Sequence, residues 1–163
     1  MSASTSEATS IRTSVEVAVA PARAFEIFTA GFNTWWNREH HLLDGELAEV
    51  GIEPFIGGRL WERTTTGDEC TWGRVLSWDP PRSFAYSWLI GTDWGVPADD
   101  AVGSRVTVTF TSSSSGTTVE VVHDQLDVHG DGWEQMRDAV GGAEGWPGLL
   151  ALYATAAAEA STT

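Results

Sequence analysis

Apolar residues Val15, Val17 and Val19 alternate with Ser14, Glu16 and Ala18, the period of a strand with one buried face. Pro21 follows where a helix can start, since its missing N–H costs nothing in the first turn. Ala24, Phe25, Ile27 and Phe28 then give that helix an apolar face, and Gly31 ends it. Phe32, Trp35 and Trp36 predict a second short helical turn, and residues 37–44 read as a loop. A strand is expected over 47–52, stopped by Pro54, and another over 59–65 after Gly57-Gly58. Thr66-Gly67-Asp68 supplies hairpin-turn residues before a return strand over 69–78. Asp79-Pro80-Pro81 breaks the pattern, because neither proline can donate to a ladder. Phe84, Tyr86 and Trp88 resume it, and a long polar loop over 91–103 carries Trp94 and Pro97. Val106, Val108 and Phe110, a turn at 113–116, and Val119, Val121 and His123 complete seven strands. Mostly joined as hairpins, they predict an antiparallel sheet.

The period then changes. Trp133, Met136, Arg137 and Val140 suggest a short helix broken at Gly141-Gly142. Trp146, Leu149, Leu150, Tyr153 and Ala157 recur at i, i+3, i+4, i+7 and i+11, one stripe of a long final helix. A helix with one apolar face needs one sheet to cover it, so the expected class is α+β. No repeat or linker divides residues 11–160, which read as a single domain behind a frayed polar tail over 1–10.

Composition narrows the function. The chain has 163 residues, within the size of one domain. Its single cysteine, Cys70, excludes an internal disulfide. Twenty-three acids face nine bases, all arginine, for a net charge of −14. Such a chain repels phosphates and anionic membranes, so neither nucleic acid nor membrane is an expected partner. No run approaches the ~20 apolar residues of a membrane helix, and residues 1–10 lack the basic and apolar regions of a signal peptide, so none is expected. A cytoplasmic protein is expected, with monomer and homodimer both open.

Nine tryptophans as a set suit a pocket for planar or amphipathic ligands, although any one of them alone is more readily a core residue. In the hairpin, a Thr66-Gly67 turn sets Trp61 opposite Trp72, whereas a shift by one sets it opposite Arg74. Depending on which face turns inward, Arg74 is either a carboxylate-binding group or an outer residue lying over tryptophan. His123 shares its parity with Val119 and Val121 and is expected to face the helix. There, beside Tyr86 or Tyr153, it is a candidate acid or base, or simply a core histidine. Glu39, His40, His41 and Asp44 hold metal-ligand atom types, but with no third ligand placed no metal is expected. Cys70 lacks a nearby histidine or helix N-terminus to activate it. No phosphate loop, G-x-S-x-G or dinucleotide fingerprint occurs, and no cofactor is expected.

Several local motifs fall in a recognisable order. They are the strand–proline–helix of 15–28, Trp35-Trp36, Gly57-Gly58-Arg59 and Trp72-Gly73-Arg74-Val75, followed by Asp79-Pro80-Pro81 with Trp88, Gly116-Thr117 with His123, and Gly145-Trp146. Across about residues 11–160 this resembles the START/Bet v 1-like (SRPBCC) superfamily, and within it the family of the heat-shock-protein-90 ATPase activator. The resemblance implies a helix-grip fold, a curved seven-stranded antiparallel sheet around a long C-terminal helix, with two short helices after strand 1 and a cavity between. The function it implies is binding of a small apolar or aromatic ligand. A cyclase, aromatase or dehydratase using His123, Tyr86 or Glu62 is the alternative, and a chaperone-interacting protein a third. The lining would draw on Trp36, Trp61, Trp72, Arg74, Tyr86, Trp88, His123, Trp146, Leu150 and Tyr153.

Overall fold

The computed structural model describes residues 9–37, 39, 42–97 and 101–161. Most of the expected polar tail, His40 and His41 therefore lie outside the described residues. The chain runs β1 (Ile11–Val17), α1 (Pro21–Thr29), α2 (Phe32–Trp35), β2 (Leu47–Ile52), β3 (Arg59–Thr64), β4 (Glu69–Asp79), β5 (Ser83–Trp88), β6 (Ser104–Ser113) and β7 (Gly116–Asp124). A 3-10 turn (Leu126–His129), α3 (Trp133–Val140) and α4 (Trp146–Ser161) follow. The strands form one antiparallel sheet in the order β1-β7-β6-β5-β4-β3-β2. This is the helix-grip arrangement, with α4 packed across β1 and against α1 and α2.

The stripe on α4 explains the grip. Trp146, Leu149, Leu150, Tyr153 and Ala157 are all buried, and the phenol of Tyr153 donates to the carbonyl of Ala24 at 2.8 Å. That bond ties the last helix to α1. Behind it Phe25 and Phe28 meet Phe84 and Phe110 with centroids 5.1–5.8 Å apart, mostly edge to face as ring quadrupoles prefer.

The β3–β4 hairpin departs from both registers expected for it. Thr64 N–H bonds to Asp68 O at 2.9 Å, so the loop has three residues, 65–67, and Gly67 takes φ +94°. A three-residue loop with glycine in the left-handed position is the standard alternative to a two-residue turn. Trp61 consequently pairs with Thr71, not with Trp72 or Arg74. Two bulges then break the alternation of β4. Trp72 is the extra residue opposite Leu60 and Trp61, and Leu76 is the extra residue opposite Tyr86 and Ala85. Trp72 and Val75 point inward, and Trp78 reaches Phe25 at 5.1 Å. Arg74 and Leu76 are left outside.

Candidate functional site

Between the β2–β5 end of the sheet and the start of α4 lies a cavity of about 500 Å³. The sheet contributes Glu62, Trp72 and Trp88, Ile90 follows just after β5, and the segment after α2 contributes Trp36, Glu39 and Leu42. Asp138, Ala139, Val140, Gly142, Ala143, Glu144 and Gly145 form the opposite rim, with Trp146 and Leu149 from α4 and Trp94 from the β5–β6 loop. Gly145 is needed for that rim, because a Cβ there would stand 2.1 Å from the carbonyl oxygen of Val140.

The wall is built of indoles. Trp36 stacks on Trp72 at 5.5 Å and 26°, Trp72 meets Trp88 edge-on at 5.6 Å, and Trp88 meets Trp146 at 6.1 Å. All four are at most 7% exposed. The indole N–H of Trp88 is buried with no hydrogen-bond partner among the described residues, which is uncommon for a donor in an interior.

One buried carboxylate is set into this wall. Leu60, Glu62 and Thr64 occupy the inward positions of β3, and Glu62 is 2% exposed. Its Oε1 accepts the amide of Leu42 at 2.8 Å, and its Oε2 accepts Leu42 at 2.9 Å and Leu43 at 3.0 Å. Backbone dipoles thus satisfy a buried anion that would otherwise be costly. Glu62 also pairs across the ladder with Cys70. Burial first, and the Glu62 charge second, push that thiol up to about 12. Cys70 is accordingly inert as a nucleophile.

Of the residues singled out from sequence, Trp36, Glu62, Trp72, Trp88 and Trp146 come together around the cavity. Trp61 and Arg74 do not. Trp61 lies on the outer face of β3 under the Arg63 guanidinium, 5.4 Å from the ring centroid. Arg74 is exposed and donates to the carbonyl of Gly57 at 3.3 Å. The bulge at Trp72 turned that part of the strand over, so the inward-arginine alternative is excluded. Tyr86, Leu150 and Tyr153 are packed in the core beside the cavity. The pairing of His123 with either tyrosine also fails. Tyr153 is engaged with Ala24, and His123 instead bonds to Ser104 and Trp146. Burial drives the imidazole down to about 3, with His129 adding to the effect, so it stays neutral and is a poor proton acceptor. Of the metal-ligand types, Glu39 faces the cavity, and no such cluster forms among the described residues.

Leu42, Ile90, Trp94, Asp138 and Glu144 also line the wall, none of them among the residues the sequence singles out for the pocket. Ile90 continues the parity of Trp88 and was accessible to the same argument. Leu42, Trp94 and Glu144 sit on connections and Asp138 near the end of the short α3, and where these run depends on tertiary contacts.

The family described as "Activator of Hsp90 ATPase homolog 1-like protein" matches residues 18–154. No curated protein matches the chain. Among solved structures, Txn09, an anthrahydroquino-γ-pyrone synthase solved as a complex, is 39% identical with a TM-score of 0.64, over 91% of this chain and 96% of that one. CalC, a self-sacrificing resistance protein from Micromonospora echinospora, is 27% identical with a TM-score of 0.64, over 93% and 96%. The AHSA1 protein of Silicibacter pomeroyi shares the fold at 22% identity with a TM-score of 0.62, over 94% and 98%.

Proposed function

Because the chain belongs to the Activator of Hsp90 ATPase homolog 1-like family, we propose that it encloses a planar polycyclic aromatic polyketide in the indole-walled cavity and closes an oxygen ring on it. One observation carries this reading. A buried carboxylate, Glu62, is set among Trp36, Trp72, Trp88 and Trp146, in a chain 39% identical over 91% of its length to a γ-pyrone synthase. Stacked indoles suit fused aromatic rings, because flat faces gain contact without ordering flexible groups. Glu62 can only accept hydrogen bonds while ionised, which fits an aryl hydroxyl.

The chemistry balances without an oxidant or reductant. Glu62 takes the proton of an aryl hydroxyl, and the oxygen adds to the distal carbonyl of a neighbouring 1,3-diketone side chain. Glu62 returns that proton to the new alkoxide, giving a hemiketal. It then takes a proton from the carbon between the two carbonyls and hands it to the hemiketal hydroxyl, which departs as water and leaves the carbon–carbon double bond of a fused γ-pyrone. One group serves as base and then as acid, as general acid–base catalysis allows. The amides of Leu42 and Leu43 hold the carboxylate in place through both steps.

The test uses a hydroxyanthraquinone carrying an acetoacetyl group ortho to the hydroxyl, with pyrone formation followed by chromatography. Pyrone should form faster than in buffer, and Glu62→Gln should lower the rate roughly 10²–10⁴-fold while still binding the compound. The indole-walled cavity by itself also fits a second reading, in which it retains such molecules without converting them. In that case binding persists and pyrone formation stays at the rate in buffer.

A further inference from the structure

His123, Ser104 and Trp146 are each at most 1% exposed, yet their polar atoms are all engaged. The order of engagement can be read from donor chemistry. An indole N–H only donates, and Trp146 Nε1 lies 3.2 Å from His123 Nδ1. That nitrogen must therefore carry a lone pair. In a neutral imidazole the proton is then on Nε2, which stands 2.7 Å from Ser104 Oγ. Ser104 accepts there, and its own proton is free to go to Nε2 of His129 at 2.8 Å. Each bond fixes the sense of the next, from Trp146 in the cavity wall to His129 in the surface 3-10 turn.

This chain does not carry protons to the cavity, because the indole at its inner end does not exchange roles as donor and acceptor. It holds geometry instead. The His123 ring also packs 5.2 Å from Trp88, so one imidazole touches two adjoining wall indoles. We infer that His123 is a positioning residue, whose Nε2–H tautomer, fixed by Ser104 and His129, locks the indole of Trp146 and so sets the width of the cavity for a planar ligand. The inference rests on the reading that such a ligand occupies the cavity. Burial lowers the pKa of both imidazoles, that of His123 to about 3, which favours the neutral His123 this order of bonds requires.

Three substitutions separate this role from simple packing. Trp146→Phe keeps the ring and deletes only its N–H. His123→Leu deletes the acceptor, and His123→Asn puts an oxygen close to the position of Nδ1. Nitrogen-15 NMR of the wild type should find Nε2 of His123 protonated and Nδ1 bare. Calorimetric titration with 1,8-dihydroxyanthraquinone should show affinity falling about tenfold in Trp146→Phe and in His123→Leu, a coupling of the size expected for one buried hydrogen bond. The double variant should be no weaker than either single one, and His123→Asn should recover most of the loss. Should His123→Leu fail to fold, Trp146→Phe and His123→Asn still decide. A proton on Nδ1, unchanged affinity in both single variants, or fully additive losses would overturn the inference alone. A folded wild type that binds no probe overturns the cavity reading and this role together.

Discussion

The carboxylate of Glu62 accepts the backbone amide of Leu42 through both of its oxygens, at 2.8 and 2.9 Å. One strand side chain thereby fixes the segment that closes one side of the cavity, and the same group is the one buried acid among the described residues. Glu62→Ala should leave the Leu42 and Leu43 amides without acceptors and destabilise the fold by about 1–3 kcal/mol. The urea midpoint measures this. An unchanged midpoint would mean that water replaces the carboxylate without loss.

Trp146 is 1% exposed at the head of the apolar stripe. Truncation to alanine should cost roughly 3–5 kcal/mol, as other large aromatic deletions do. Equilibrium denaturation reads the difference directly.

Acid should weaken the protein in a defined window. His123 titrates near 6.5 when unfolded but is held at about 3 when folded. Below the unfolded value the unfolded chain binds a proton that the folded chain refuses, so stability is complete above that value and declines as pH falls towards the folded one. By about pH 5 this one group removes roughly 2 kcal/mol. Comparing the pH dependence of unfolding in wild type and His123→Asn isolates the contribution, which should vanish in the variant.

With its thiol pushed up to about 12, Cys70 should resist a thiol reagent at neutral pH in the native protein. It should react promptly after denaturation. Fast labelling of the folded chain would show that β3 and β4 open locally.

The outer and inner faces of the sheet should separate cleanly in binding. Trp61→Ala and Arg74→Ala change residues outside the cavity and should leave affinity for an aromatic probe unaltered. Trp72→Ala and Trp88→Ala remove wall and should weaken it at least tenfold, about 1.4 kcal/mol.

Regular periodicity made the fold legible. Alternation at Val106, Val108 and Phe110, and the stripe from Trp146 to Ala157, record in sequence which face is buried. The β3–β4 hairpin resisted because its three-residue loop and two bulges each shift parity by one, and a bulge leaves no mark in alternation. Arg74 shows the consequence, since it sits two positions from the inward Trp72 and yet points out. In the site, Trp36, Trp72, Trp88, Trp146 and Glu62 were readable because aromatic and acidic residues stand out on strands and helix starts. Leu42 and Glu144 on connections, and Asp138 near the end of the short α3, were not, because ordinary residues there enter the wall only through packing at a distance. Ser104 and His129 escaped for a similar reason, as their link to His123 exists only once β6, β7 and the 3-10 turn are assembled.

The central claim is that the cavity takes a planar aromatic guest. Its most direct measurement is a calorimetric titration of the wild-type protein with 1,8-dihydroxyanthraquinone, run beside Trp88→Glu. The account predicts saturation near one equivalent, a raised melting temperature through linkage, and loss of both in the folded variant. No saturable binding by the wild type, or binding that survives a charge placed in the wall, would contradict it.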